Sequence, residues 1–215
     1  MKDFPVFTTE WGVASLILRE VPYRQEAYIH IQASETPAEL IGECVSFCRM
    51  VGADRVYARG HEMLEENPPY SIIYEMRGDA CPEESRVEHL WPVTEETVGK
   101  WRAMMNERLA SVDHASTLES RQEKEILVSG GAYFVHRDGE LLGGGWIENG
   151  EVKLVAAFKP GAGTNVMHTL MSLMPGAQMR LEVVSTNVKA LHLYEKLGFI
   201  KTAELYRWYR VFPGN

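Results

Sequence analysis

Cysteine is scarce in this chain, three in 215 residues. That is too few for a disulfide scaffold, and an odd number cannot pair off completely. No apolar run approaches the ~20 residues that cross a bilayer. The opening Met1-Lys2-Asp3-Phe4-Pro5 has no apolar stretch of the kind that heads a secreted chain. A cytoplasmic protein without a membrane partner is the expectation. Excess positive charge is lacking too: the net charge is -8, which disfavours a nucleic-acid partner. Several catalytic strings are missing. There is no Gly-x-Ser-x-Gly elbow and no Walker Lys-Ser/Thr pair. His61-Glu62-Met63-Leu64-Glu65 carries Glu where a zincin helix needs its second His. Cys44 and Cys48 share a helix face, but no second ligand pair lies nearby, so we read them as buried thiols and expect no metal.

What is present is an ordinary globular composition with uneven charge. Residues 1–149 hold 14 Lys+Arg against 26 Asp+Glu, a net of -12, and residues 150–215 hold 8 against 4, a net of +4. A small anion suits the basic last third, and a cationic acceptor suits the acidic remainder.

Hydrophobic periodicity alternates between strands and helices along the chain. Residues 12–21, 27–33, 55–59 and 70–76 read as strands, with a helix opening at Thr36-Pro37 and stopped at Gly52. Residues 77–85 read as a polar linker. A second unit begins with a strand over 87–91 and a helix over 94–109, then a weaker helix over about 115–124. Strands over 132–136 and 140–147 meet at Asp138-Gly139, and Asn149-Gly150 turns the chain into a strand over 152–157. A helix runs through Val166–Met174, a strand over 179–184, a helix over 187–196, and a closing strand region to 211. The expected class is α/β, with a partial α/β subdomain over 1–80 and a complete domain over 86–215. The strand-helix-strand of 27–59 resembles that of 151–184, with Gly52-Ala53 and Gly176-Ala177 at matching places, either as an internal repeat or as two units with common turn chemistry.

Two segments bear chemistry. Lys159-Pro160-Gly161-Ala162-Gly163-Thr164-Asn165 lies between a strand and a helix, where glycines and a helix start offer N–H groups to an anion. The matching place in the first unit reads Glu35-Thr36-Pro37-Ala38-Glu39, a poor anion site. Asn187-x-x-Ala190-x-x-Leu193-Tyr194-Glu195-Lys196-x-Gly198-Phe199 follows a strand, and as plain structure it is an amphipathic helix with a cap at each end. Gly143-Gly144-Gly145 reads as a bulge or as a place where backbone nears a ligand.

Together the loop and the helix string resemble the C-terminal signature of the GNAT superfamily of acyl-CoA-dependent N-acetyltransferases. The resemblance covers about 125 residues and implies a mixed, mostly antiparallel sheet flanked by helices. It implies acetyl-CoA as co-substrate, with its pantetheine arm along Leu154, Val155 and Ala156, its pyrophosphate on Lys159, Gly161, Ala162, Gly163 and Thr164, and Asn187 bonding the arm. Tyr194 would protonate the departing thiolate, and the acceptor would be a small-molecule or peptide amine attacking directly. Phe158 stands where the family usually has Gln or Arg, and Pro160 has no N–H to give. Glu182 is the preferred carboxylate for a base, with His136 and His168 as further candidates. Glu148 and Glu151 read as solvated. A non-catalytic acyl-CoA-binding or regulatory module is the alternative, and a homodimer is allowed.

Overall fold

The computed structural model describes residues 5–79, 88–174 and 176–213. In chain order the elements are β1 (Val6–Thr9), β2 (Gly12–Ile17), α1 (Val21–Arg24), β3 (Glu26–Ala33), α2 (Pro37–Met50), β4 (Arg55–Arg59) and β5 (Ser71–Asp79). After them come β6 (His89–Pro92), α3 (Val98–Leu109), α4 (Glu123–Ser129), β7 (Ala132–Arg137), β8 (Glu140–Glu148) and β9 (Glu151–Ala157). The chain closes with α5 (Gly163–Met171), β10 (Gln178–Val184), α6 (Val188–Lys196) and β11 (Ile200–Phe212).

Two compact units result. One holds residues up to Ile72 together with Leu205 onward, and the other holds Ile73–Glu204. This differs from the expected division at 1–80 and 86–215. The reason is strand exchange: β5 pairs antiparallel with β10 from Gln178↔Asp79 to Val184↔Ile73, and the end of β11 pairs with β4 at Tyr209↔Ala58 and Arg210↔Tyr57. Each unit therefore completes its sheet with a strand that is remote in sequence. Most of the expected linker, and the first residue of the strand expected over 87–91, lie outside the described residues.

In the N-terminal unit α2 sits on the sheet. Pro37 opens the helix, and Leu40, Ile41, Cys44 and Cys48 recur at helical spacing to meet Ala27, Ile29, Val56 and Ala58. The two thiols are buried, and desolvation pushes them up to about 11 for Cys44 and about 12 for Cys48, so both stay neutral packing groups. β3 and β4 are parallel and stay paired over five positions, from Glu26↔Arg55 to His30↔Arg59.

In the C-terminal unit β6, β7, β8 and β9 form an antiparallel run, β9 and β10 are parallel, and β10 and β5 are antiparallel. The sheet is mixed and mostly antiparallel, with helices on both faces. One core joins α5 and α6 through Val166, Leu170, Leu191 and Tyr194 to Leu181 and Val183 of β10. The other joins α3 and α4 through Trp101, Met105 and Ile126 to Phe134 and Trp146. The helix expected over 115–124 is displaced to α4, because a capping box between Glu119 and Gln122 starts a 3-10 turn over Ser120–Gln122 that runs into it, and left-handed Gly130 stops it. No helix among the described residues is long and apolar enough to cross a membrane.

Gly143-Gly144-Gly145 serves the protein's own packing. A Cβ at Gly143 would meet Ala156 O at 2.4 Å and Val166 Cγ2 at 2.6 Å, and one at Gly145 would meet Leu170 Cδ1 at 2.4 Å. The missing side chains let α5 lie directly on β8, so the close approach is that of a helix rather than of a ligand.

Candidate active site

β9 carries a register shift: Trp146 pairs with Leu154, but Ile147 pairs with Val152, so Lys153 is an extra residue. A bulge of this kind bends its strand and ends pairing on the far side. Accordingly β10 meets β9 only at Arg180↔Glu151 and Leu181↔Val152. Beyond that point the parallel strands share no register. The edge of β9 from Leu154 to Ala157 turns backbone groups away from β8 with no strand of the described residues paired to it.

The glycine loop lies at the far end of that edge. Gly161 has φ +80°, with no atom within 4 Å of the place a Cβ would occupy. α5 starts at Gly163, and no side chain caps it. Its first amides are therefore left for another partner. Gly163 also lets α6 approach, since a Cβ there would lie 3.3 Å from Leu193 Cδ2. The loop thus lies against the helix that carries Tyr194.

Lys159 does not face this start. Its Nζ pairs with Glu140 Oε1 at 2.7 Å on the exposed hairpin. Phe158 is buried beside Trp101 and Met105, and its carbonyl accepts from Arg108 Nη2 at 2.7 Å. The departure from the expected Gln or Arg at 158 is thus a core residue whose backbone is tied to α3.

Tyr194 is buried on the inner face of α6, its ring 6.0 Å from that of Phe199. Gly198, at φ +87°, reverses the chain so that Phe199 N–H reaches Tyr194 O at 2.9 Å. Burial pushes the phenol up to about 12. Asn187 caps α6, with Oδ1 accepting from Ala190 N–H at 3.2 Å.

Glu182 lies one residue past the point where β9 and β10 part, and it is exposed. Leu181 and Val183 point into the core that contains Tyr194, so Glu182 points to the opposite face of β10. Tyr194 and Glu182 are not brought together, because they lie on opposite faces of β10. The carboxyl of Glu182 is raised above the ordinary range by desolvation and then by the charges of Glu151 and, more weakly, Glu75. Glu151, by contrast, is held below its ordinary value: desolvation pushes it up, but hydrogen bonds from Lys153 at 2.8 Å and Arg180 at 2.6 Å outweigh it.

Glu151, expected to be solvated, is instead half-buried and bridges two cations. Its place in register with Arg180 follows only from the strand pairing. Sequence reasoning missed Glu88, whose carboxylate takes Arg137 and, at 3.0 Å, Asn165 Nδ2 in the first turn of α5, while its N–H donates to Thr169 Oγ1 at 3.0 Å. No local pattern signals contacts that span 77 and 81 residues. His61 is a cap, its Nδ1 accepting from Met63 N–H at 3.1 Å, and no group of three or more metal-ligating side chains occurs among the described residues. The His136 ring lies tilted against that of His89 across β6 and β7, 5.3 Å between centres, and His168 lies on α5.

No protein-family model and no curated protein matches the chain. Solved structures do. A GCN5-related N-acetyltransferase from Sphaerobacter thermophilus aligns over 92% of this chain and 75% of its own, with a TM-score of 0.55 and 12% identity. One from Kribbella flavida aligns over 100% of this chain and 91% of its own, with a TM-score of 0.54 and 15% identity. A GNAT-family acetyltransferase from Colwellia psychrerythraea aligns over 95% and 83%, with a TM-score of 0.52 and 11% identity. The chain has the GNAT fold. Both units are included in that likeness, since nearly the whole chain is covered.

Proposed function

We propose that the C-terminal unit is an acetyl-CoA-dependent N-acetyltransferase acting on an amine, with the N-terminal unit a copy of the same strand-helix-strand that lacks the site. The observation that carries this reading is the parting of β9 from β10 after two paired positions, next to the uncapped start of α5. These features fit an acyl-CoA: an extended edge offers backbone hydrogen bonds to a pantetheine arm, and amides at a helix start suit a pyrophosphate. Leu154, Val155 and Ala156 would hold the arm by their backbone. Gly161, Ala162, Gly163 and Thr164 would hold the phosphates, with Lys159 joining once it leaves Glu140. Asn187 fixes the start of α6 and leaves its Nδ2 hydrogens for the arm.

Acetyl-CoA, when bound, supplies an acetyl thioester whose C–S bond is exchanged for a C–N bond to the amine. Glu182 takes the proton that the amine must lose, and its raised affinity for protons makes it a stronger base than an ordinary carboxylate. Tyr194 holds a proton at Oη for the departing sulfur. A phenol at about 12 is far weaker as an acid than a thiol near ~8.5. Tyr194 therefore acts mainly by donating a hydrogen bond to developing charge rather than by surrendering its proton.

Titration calorimetry with acetyl-CoA, followed by thiol release across a panel of neutral and basic amines and short peptides, tests the reading. Saturable binding with thiol release on at least one amine is expected, and an absence of binding overturns it. The Lys159–Glu140 ion pair and the opposite facing of Tyr194 and Glu182 favour a second reading, a non-catalytic acyl-CoA-binding module. Binding with no thiol release on any amine selects it.

A further inference from the structure

The cations around the glycine loop differ in what holds them. Lys159 is paired with Glu140. Arg137 is paired with Glu88, the carboxylate that also takes Asn165 in the first turn of α5. Both are already matched to an acid. Arg108 is not. Among the described residues its side chain makes one hydrogen bond, from Nη2 to Phe158 O at 2.7 Å, and no ion pair.

Helix periodicity explains where Arg108 lies. α3 buries Val98, Trp101 and Met105. Position 108 continues that stripe by one more turn. Trp101 and Met105 pack with Phe158, so the next side chain along the stripe reaches the end of β9. An apolar residue there would extend the core. Arg108 instead ends it: the residue is exposed, and its head is tied to the strand end. The N–H groups of Phe158 and Lys159 both donate to Leu142 O, at 2.8 and 3.4 Å, so the tether falls where β8 stops holding the chain. Gly161 and the uncapped start of α5 follow directly. A guanidinium carries five N–H donors. One meets Phe158 O, and the other four have no protein partner among the described residues.

We propose that Arg108 binds a phosphate of the acyl-CoA at this loop, a role that rests on the acetyl-CoA site proposed above. Lys159 must give up Glu140 before it can join an anion, whereas Arg108 has no acid to leave. Its bond to Phe158 O fixes a full positive charge beside the loop and leaves pairs of N–H groups for two oxygens of one phosphate. α3 then serves the co-substrate as well as the core.

Calorimetric titration of the full chain with acetyl-CoA, at low and at high salt, tests the proposal. Arg108→Gln should weaken binding about tenfold at low salt, since a hydrogen bond to a charged oxygen is lost. Arg108 is exposed, so the deficit should shrink at high salt, where screening takes the same attraction from the wild type. Arg108→Lys keeps the charge and a donor for Phe158 O but has no fork, and it should weaken binding by a smaller factor, about threefold. That variant decides the matter should Arg108→Gln fail to fold. A tether with no part in binding predicts another pattern: a deficit in Arg108→Gln that is the same at both salts, and full wild-type affinity in Arg108→Lys. Either of those results, or an unchanged affinity in Arg108→Gln, overturns the proposal. A wild-type chain that binds no acetyl-CoA removes the acetyl-CoA site and this role together, whereas wild-type binding that is indifferent to Arg108 removes this role alone.

Discussion

The two units each contain a parallel strand-helix-strand, and they differ in how far the strands stay together. β3 and β4 remain paired over five positions, whereas β9 and β10 part after two. The difference traces to one extra residue, Lys153, which bends β9 against β8. A second difference lies at the helix start. α2 begins at Pro37 with Glu39 in its first turn, and α5 begins at Gly163 with no acidic residue there. A regular sheet and an acidic helix start make a stable but closed unit. A bulge and a bare helix start leave backbone groups unpaired, which is a cost to folding that a ligand can offset. The same supersecondary design can therefore serve as scaffold or as site according to a handful of residues.

The strongest way to break this comparison is to make the second unit imitate the first. The double variant Lys159→Glu, Gly163→Glu puts carboxylates where Glu35 and Glu39 stand. A carboxylate in the first turn favours the helix itself, and the Cβ added at Gly163 asks only that the flexible end of Leu193, 3.3 Å away, give by a few tenths of an ångström, so the fold should persist. An anionic ligand then faces like charge, which costs several kcal/mol. Acetyl-CoA affinity should fall about a hundredfold or more by calorimetry, while Glu35→Gln and Glu39→Gln leave it unchanged. Retained affinity in the double variant would remove the α5 start from the proposed site.

Tyr194→Phe comes next in size. The ring still packs on Phe199, so stability and acetyl-CoA affinity should hold. Turnover should fall by about a hundredfold, the usual cost of removing one hydrogen-bond donor to developing charge. A rate within about twofold of wild type would make Tyr194 a core residue only.

The order of strands and helices was largely legible, because apolar periodicity and turn residues are local. Asp138-Gly139 and Asn149-Gly150 adopt the positive φ values their turns require, and Gly52 and Gly198 end their helices as their positions suggested. Strand partners were not legible. That β5 completes one unit and the end of β11 the other depends on pairings more than 90 residues apart, which no local pattern encodes. In the candidate site the glycine loop and the capped α6 were readable from residue type. The splay was not, since Lys153 becomes a bulge only against Trp146 and Ile147 of the neighbouring strand.

The finest contrast lies within the C-terminal unit, between two carboxylates on neighbouring strands. Glu151 is drawn down by Lys153 and Arg180, and Glu182 is pushed up by desolvation and by Glu151. If Glu182 is the base, its ionised form is the active one. The acid limb of kcat/KM must then rise through a pKa above the ordinary carboxylate range, and Glu182→Gln should remove that limb and about tenfold of the rate. Glu151→Gln deletes the charge that raises Glu182 and releases Arg180 to stabilise its ionised form, so both effects move the limb to lower pH. Arg180→Gln deletes a stabilising cation and moves it to higher pH. With one amine used throughout, substrate ionisation is common to all profiles and cancels in the comparison. Because Glu182 is exposed, both displacements should shrink at high salt. A limb that does not move in opposite directions in the two variants would take the base role away from Glu182 while leaving the acetyl-CoA site untouched.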